Sequence, residues 1–179
     1  MRLLAGPAEG AVAVTVISLE MTDPDQLVTA TRPPGATFDI VAGPRPDLSS
    51  SFYARVGAPW NWVDRLDWSP EQWLAWVDRP EHHLLICRLD GEEAGYAELE
   101  QQEGGNVELA YFGLLPQAVG KGLGRWWLAQ ALAEAWALPG TTRVWVHTCD
   151  LDAPAALPTY RSRGLRECGR EVEWRLPDE

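Results

Sequence analysis

Apolar and polar residues in the second half of the chain follow a pattern typical of successive β-hairpins. An apolar run at 84–88 precedes an Asp-Gly pair at 90–91, and residues 94–100 then alternate between two faces. A Gly-Gly pair at 104–105 marks a second turn before another apolar run at 107–115. This pattern predicts three successive antiparallel strands.

A helical repeat follows the third of these strands. Its apolar positions recur at helical spacing and form one stripe, made of Trp127, Leu128, Ala131, Leu132, Ala135 and Trp136. Pro139-Gly140 ends the repeat, and residues 143–147 again predict a strand. Because a crossover helix usually joins parallel strands, this unit adds one parallel pairing to the hairpins. The predicted fold class is therefore mixed α/β.

The first half of the chain is less regular. Residues 12–20 predict a strand, and five prolines then interrupt residues 22–47 except for a short strand at 38–41. The segment 50–78 is rich in aromatic residues and contains Ser69-Pro70-Glu71, a typical helix start, so two short helices are predicted there. We interpret residues 1–35 as an N-terminal extension whose strand packs on a single domain formed by residues 36–179.

Composition and charge narrow the possible partners. The 179 residues are 46% hydrophobic, which suits one core, and their net charge of -11 with a single lysine, Lys121, disfavours nucleic acid. No apolar run reaches the roughly 20 residues of a membrane helix. Cys87, Cys149 and Cys168 lack the paired spacing of a metal or redox site. We expect a cytoplasmic protein with packed, reduced cysteines and no metal, membrane or nucleic-acid partner.

The glycine-rich loop between the third strand and the helix is the most informative segment. It reads Gln117-Ala118-Val119-Gly120-Lys121-Gly122-Leu123-Gly124-Arg125. Glycines let a backbone approach a ligand closely, and free N–H groups at a helix start favour phosphate oxygens. The loop lacks the Walker motif, and Arg125 occupies the third glycine position of a dinucleotide fingerprint. An anion site is favoured over a flexible connector because the loop lies between a strand and a long helix.

Two motifs have counterparts in one protein family. The first is Leu114-Leu115-Pro116 followed by Gln117-x-x-Gly120-x-Gly122-x-Gly124 and a helix; the second, at 155–165, follows the pattern Ala-x-x-x-Tyr-x-x-x-Gly with Leu165 as its last residue. Together they resemble the GNAT superfamily of N-acetyltransferases, over roughly residues 83–175. The resemblance implies a GNAT-like acyl-CoA N-acyltransferase fold, a central mixed β-sheet flanked by helices, here with an extra N-terminal strand.

The resemblance also implies acetyl-CoA as the acyl donor, with no metal. Pantetheine and pyrophosphate would contact Leu114, Leu115, Gln117, Ala118, Val119, Gly120, Lys121, Gly122, Leu123, Gly124 and Arg125. Val119 stands where many family members have Arg or Gln, so phosphate binding would depend on the backbone, Lys121 and Arg125. Ala153 stands where the family often has Asn. Asp152, beside Ala153, is a candidate N-cap for the helix that follows.

Amine acetylation needs a base, an oxyanion donor and an acid for the departing thiolate. Tyr160 is the candidate acid, with a packed structural aromatic as the alternative, and the N–H of Leu114 or Leu115 is the candidate oxyanion donor. Glu100 and Glu108 are expected to face each other across a hairpin, where repulsion would raise the pKa of one and suit it as a base.

The choice of base stays open between these two residues and two others. Glu98 is a third carboxylate on the same strand face as Glu100, and His147 is a fourth candidate, although a histidine at a strand end is more often structural. A solvent-exposed glutamate pair is the alternative for Glu100 and Glu108. The tryptophans of 60–76, with acidic neighbours, occupy the region that the resemblance implies as the wall over the acceptor. Most of them are expected in the core, and one or two would line the pocket and favour a cationic amine.

Two functions are compatible with these residues. The leading one is an N-acetyltransferase that moves acetyl from acetyl-CoA to a primary amine of a small molecule or peptide, by direct attack with a Glu base and a Tyr acid. The alternative is a catalytically weak acyl-CoA-binding or regulatory module. A nucleotide-phosphate enzyme is disfavoured because no magnesium-ligand motif is present. The oligomeric state stays open, with a homodimer as one option.

Overall fold

The computed structural model describes residues 2–176. Met1, in the predicted N-terminal extension, and residues 177–179, in the predicted domain, lie outside the described part. Its eight strands are β1 Arg2–Leu4, β2 Val12–Met21, β3 Ala36–Ile40, β4 His82–Leu89, β5 Glu92–Gln102, β6 Asn106–Leu114, β7 Arg143–Cys149 and β8 Arg166–Leu176. The helices are α1 Pro46–Gly57, α2 Pro70–Val77, α3 Leu123–Ala137 and α4 Ala156–Ser162.

All eight strands form one sheet in the order β1-β8-β2-β7-β6-β5-β4-β3. Neighbouring strands are antiparallel except β6 and β7, which are parallel and joined by α3. The predicted hairpins β4-β5-β6, the parallel pairing and the mixed fold class are thus confirmed. β2 lies inside the sheet, between β7 and β8.

Strands β1 and β8 were not predicted. β8 reads RECGREVEWRL, in which Val172, Trp174 and Leu176 alternate with charged residues, a strand signal that could have been found in the second half of β8. The first half is charged and contains Gly169, and its order comes from pairing with β2. The cysteines also differ from expectation. Cys87 is buried and Cys149 half-buried, but Cys168, on β8, is exposed rather than packed.

The sheet is covered by helices on both faces, because side chains alternate along each strand. Leu85, Cys87, Ala97 and Leu99 pack in one cluster with α3 and α4. On the opposite face, Leu84, Ile86 and Tyr96 pack against Phe52 and Val56 of α1. Five of the six stripe residues of α3 belong to the first cluster, and the sixth, Trp136, is half-buried and packs against it. Trp126 and Ala129 are buried as well, so α3 is covered on more than one side.

The parallel pairing of β6 with β7 is short. It covers only Asn106–Glu108 against Arg143–Trp145, while β6 continues to Leu114 and β7 to Cys149. A β-bulge lies just beyond the last pair, where Ala110 is the extra residue between the partners of Glu98 and Leu99. Because a bulge bends its strand and increases its twist, β6 turns away from β7 and a gap opens between them.

Helix α4 is held against the N-terminal segment. Pro158 lies in its first turn, where a missing N–H costs no helical hydrogen bond, so the helix begins near this proline. After the helix, Gly164 has φ +103°, and a Cβ there would lie 1.9 Å from the carbonyl oxygen of Gln26. Arg163 donates from Nη1 to the carbonyl of Thr29 at 2.8 Å. The position of Tyr160, on α4, depends on these contacts.

We expect Gly164→Ala to lower the free energy of unfolding by about 2–4 kcal/mol, through backbone strain and the clash with Gln26. Urea denaturation measures the change. The control is Gly6→Ala, where an added Cβ meets no heavy atom within 4 Å and the change should stay below about 0.5 kcal/mol. Equal midpoints for Gly164→Ala and the unchanged protein would contradict the packing described here.

Candidate active site

An apolar cleft of about 180 Å³ occupies the gap beside the end of β6. Its walls come from β6, α1, the start of α3 and the segment around α4. The side chains and backbone that line it include Val56, Trp60, Trp62, Phe112, Gly113, Leu114, Val119, Gly124, Ala156, Thr159 and Tyr160. The cleft runs from the glycine-rich loop towards Tyr160.

The glycine-rich loop presents backbone donors at the start of α3. Gly120 and Gly122 have φ near +80°, and a Cβ on either meets nothing within 4 Å. Within residues 2–176, the amides of Gly120, Gly122, Leu123 and Gly124 donate to no protein acceptor. Gly122 is the N-cap of α3 and provides no side-chain cap. Leu123 is fully buried, so the three amides that an anion can reach are those of Gly120, Gly122 and Gly124. They lie at the positive end of a helix of 15 residues, which suits anionic oxygens.

Other predicted cofactor residues differ in what they can offer. The N–H groups of Ala118, Val119 and Lys121 already donate within the loop, to carbonyls at 2.8, 3.3 and 3.4 Å. The side chains of Ala118 and Leu123 are buried in the core. Gln117, Val119, Lys121 and Arg125 are exposed at the rim.

Leu114 and Leu115 are not equivalent as oxyanion donors. The N–H of Leu115 donates to the carbonyl of Ala94 on β5 at 2.8 Å, so it is not available to a ligand. Consecutive N–H groups of an extended chain point to opposite sides, so the N–H of Leu114 points towards the gap beside β7. Of the two predicted donors, only Leu114 fits.

A second, polar cavity of about 260 Å³ adjoins the apolar cleft. Both are lined by Trp60, Trp62, Phe112, Asp152 and Tyr160. The polar cavity is also lined by Tyr53, Asp64, Arg65, Trp76, Glu100, Glu108, Tyr111, His147, Glu173 and Arg175. A molecule in the cleft and one in the cavity would therefore meet beside Tyr160.

Tyr160 is 7% exposed and lies where the two spaces join. Burial, and next the charge of Asp152, raise the pKa of its phenol above the ordinary value of about 10. The hydroxyl is therefore protonated at neutral pH, as a proton donor must be. Asp152 does not cap α4, because its carboxylate accepts from Thr148 Oγ1 at 2.6 Å and from the N–H of Cys149 at 3.1 Å, and α4 has no side-chain cap.

Glu100 and Glu108 are direct cross-strand partners, as the register of the hairpin predicted. The sequence predicted two carboxylates that repel each other, but in the structure each carboxylate has its own polar partners. Glu100 accepts from Arg79 Nη1 at 2.7 Å. Glu108 accepts from Gln102 Nε2 at 2.8 Å and lies 3.2 Å from Nδ1 of His147.

Glu98 lies outside both cavities and is only 1% exposed. Its carboxylate accepts from Ser49 Oγ and from Trp76 Nε1 at 2.7 Å, and it lies 3.2 Å from Nε2 of His82. Helices α1 and α2 thus cover it. Alternation along β5 placed it with Glu100, but tertiary packing makes it a structural residue.

The aromatic segment forms the wall of the polar cavity, as the sequence suggested for one or two tryptophans. Trp60, Trp62 and Trp76 line the cavity, whereas Trp73 packs against Tyr53 and Trp68. Arg65 lies over the ring of Trp76 at 3.9 Å and over that of Trp68 at 4.3 Å. Cation-π contact thus fixes this guanidinium among the aromatic side chains.

No helix within residues 2–176 has both the length and the hydropathy of a membrane span. No three His, Cys, Asp or Glu side chains of the same residues come together as metal ligands.

The part of the chain that carries the glycine-rich loop and Tyr160 matches a known protein family. Residues 47–165 match the Acetyltransferase (GNAT) family. The chain belongs to this family. The matched region runs from α1 to α4 and contains the whole lining of the apolar cleft, whereas the polar cavity also takes Val16, Glu173 and Arg175 from outside it. No curated protein matches the chain.

Solved structures share the GNAT fold with this chain. A GCN5-related N-acetyltransferase from Kribbella flavida is 24% identical with a TM-score of 0.66, over 95% of this chain and 61% of that one. One from Sphaerobacter thermophilus is 16% identical with a TM-score of 0.71, over 93% and 52%. The chain thus spans between half and two thirds of these relatives.

A shorter structure matches over most of its own length. Spermidine N-acetyltransferase from Vibrio cholerae, solved with CoA and spermine, is 14% identical with a TM-score of 0.61, over 78% of this chain and 93% of that one.

Proposed function

We propose that the protein transfers the acetyl group of acetyl-CoA to a primary amine of a small molecule or peptide, by direct attack. The observation that carries the proposal is the continuous path from the free amides of the glycine-rich loop, through the apolar cleft, to a carboxylate-lined cavity. Tyr160 lies at the junction of cleft and cavity. Membership of the GNAT family supports the same reaction class.

The donor side of the site fits acetyl-CoA. The amides of Gly120, Gly122 and Gly124 bind the pyrophosphate, and Lys121 and Arg125 add positive charge at the rim. The apolar cleft and the strand end at Leu114 hold the pantetheine. Val119, 60% exposed at the cleft, provides an apolar contact in place of a phosphate donor.

The acceptor side fits a cationic amine. Five carboxylates line the polar cavity, against two arginines; the five are Asp64, Glu100, Glu108, Asp152 and Glu173. A net negative cavity with aromatic walls attracts an ammonium group by charge and by cation-π contact. The Vibrio cholerae structure holds spermine, a polyamine and therefore a cationic amine.

The chain supplies three groups to the chemistry. Glu108 is the carboxylate that takes part in removing the proton from the acceptor amine. Glu100 is less suited, because the permanent charge of Arg79, at 2.7 Å, neutralises it. The N–H of Leu114 stabilises the oxyanion, and Tyr160 gives its proton to the departing thiolate.

The function is tested on the unchanged protein by thermal shift with acetyl-CoA and by release of free CoA with a panel of primary amines. We expect both a raised melting temperature and turnover with at least one cationic amine. Binding without turnover across the panel would favour the acyl-CoA-binding module instead. No binding would overturn both functions.

We expect Gly122→Val to raise the Kd for acetyl-CoA at least tenfold. The β-branched side chain of valine would enter the open space of the loop, and valine disfavours φ +78°. Isothermal titration measures the affinity. Gly140→Val is the matched control, since Gly140 follows the other end of α3 with φ +80° and similarly open space. Equal affinities in the two variants would remove the loop from the cofactor site.

We expect Tyr160→Phe to lower kcat by roughly 10²- to 10⁴-fold, the usual contribution of a positioned acid, with little change in acetyl-CoA affinity or melting temperature. Steady-state kinetics and thermal shift check this. Tyr96→Phe is the control, because the Tyr96 hydroxyl is buried without a partner in residues 2–176 and lies outside both cavities. Parallel losses of stability and activity in Tyr160→Phe would make Tyr160 structural.

A further inference from the structure

His147 has the position and the partner of a catalytic imidazole. It lies on β7, two residues beyond Trp145, the last residue of β7 paired with β6, so the gap between the strands opens beside it. Its side chain is 51% exposed and lines the polar cavity. Its Nδ1 lies 3.2 Å from Oε1 of Glu108, whose side chain is only 12% exposed.

We infer that His147 is the general base of the reaction, acting through Nε2, and that Glu108 is the positioning residue that orients its ring. The inference rests on the proposed function. The imidazole, rather than a glutamate, then accepts the proton of the acceptor amine. Sequence alone placed His147 behind the glutamates, because a strand-end histidine is more often structural.

The contact with Glu108 decides which ring nitrogen is free. A carboxylate accepts only, so it holds the imidazole in the tautomer that carries hydrogen on Nδ1. That tautomer leaves the lone pair of Nε2 free for the acceptor. The same logic makes a carboxylate next to a histidine an orienting group in serine hydrolases.

The surroundings also favour proton uptake by this imidazole. The hydrogen bond to Glu108 raises the pKa of His147 above its ordinary value of 6.5; partial burial opposes this, and the charges of Glu108, Asp152 and Glu173 add to it. A base with a pKa near neutral pH is deprotonated in a large fraction of molecules and still accepts a proton readily. An ordinary carboxylate, with a pKa of about 4.3, is deprotonated but is a weaker proton acceptor.

Charged groups approach His147 from every strand around the cavity. Glu108 extends from β6 and Glu100 from β5, where Arg79 holds it. Asp152 follows β7, and Glu173 lies on β8 in an ion pair with Arg175 at 2.8 Å. Asp152 accepts from Thr148 and Cys149 instead. Oε2 of Glu108 accepts from Gln102, so its Oε1 is the carboxylate oxygen left for the imidazole.

The protons and bonds balance in this scheme. Nε2 of His147 takes one proton from the acceptor ammonium, and the amine lone pair then forms the new N–C bond to the thioester carbonyl. The C–S bond breaks, the thiolate sulfur takes the Tyr160 proton, and the phenolate recovers a proton from the new amide nitrogen. His147 releases its proton to water through its exposed side. The products are the acetylated amine, free CoA and one proton.

The pair itself is tested without turnover, by an NMR titration of the histidine ring signals in the full chain. We expect the pKa of His147 to lie above 6.5 in the unchanged protein and to fall in Glu108→Gln, since the neutral amide removes the charge that favours the imidazolium. An unshifted His147 in both proteins would overturn the pairing.

The base is tested by His147→Asn, assayed as kcat/KM against pH. The Asn amide nitrogen replaces Nδ1 and can still donate to Glu108, but nothing replaces Nε2. We expect turnover to fall by roughly 10²- to 10⁴-fold, with acetyl-CoA affinity unchanged. Glu108→Gln should cost less, roughly 10- to 100-fold, and should move the acidic limb to lower pH.

His83→Asn is the matched control, because His83 contacts Gln101 at 3.0 Å and lines neither cavity of the site. Wild-type rates and pH profile in His147→Asn would overturn the inference and return the base role to Glu108 or water. If the unchanged protein acetylates no amine, the proposed function itself fails, and the NMR titration then still shows whether the pair exists.

Discussion

The parallel ladder between β6 and β7 ends after three residue pairs, and the site takes its geometry from that ending. Beyond it, one side of β6 has no strand partner, which would be costly if its N–H and C=O groups were buried without ligand or water. The bulge at Ala110 turns the strand away and makes room for a ligand chain. The cleft, the free N–H of Leu114 and the neighbourhood of Glu108 and His147 all follow from this single divergence.

Polar partners decide how the carboxylates near this divergence differ. Glu98 is enclosed by α1 and α2 and stabilises their contact with the sheet. Glu100 has a guanidinium partner whose charge does not change with pH. Glu108 has a titratable partner in His147. Three glutamates within a short stretch of one hairpin thus have three different environments, although their side chains are chemically identical.

The parts of this picture that depend on local signals were predictable from sequence. Turn pairs fixed the hairpins, and the register of the second hairpin placed Glu100 opposite Glu108. The glycine pattern located the loop, because φ values near +80° require glycine. Contacts between distant segments were not predictable. The first half of β8 has no apolar alternation, so its pairing with β2 could not be predicted. The burial of Glu98 depends on two helices from the first half of the chain. The register across the α3 crossover, which brings Glu108 to His147, has no signal in the local sequence.

The central position of β2 has a consequence for biosynthesis. Both of its neighbours, β7 and β8, follow it by more than 120 residues, so β2 has no strand partner while residues 22–142 are synthesised. Late, long-range strand pairing is slow and leaves edges open to wrong partners. The nascent chain therefore carries an unpaired strand at residues 12–21 until β7 and β8 emerge from the ribosome.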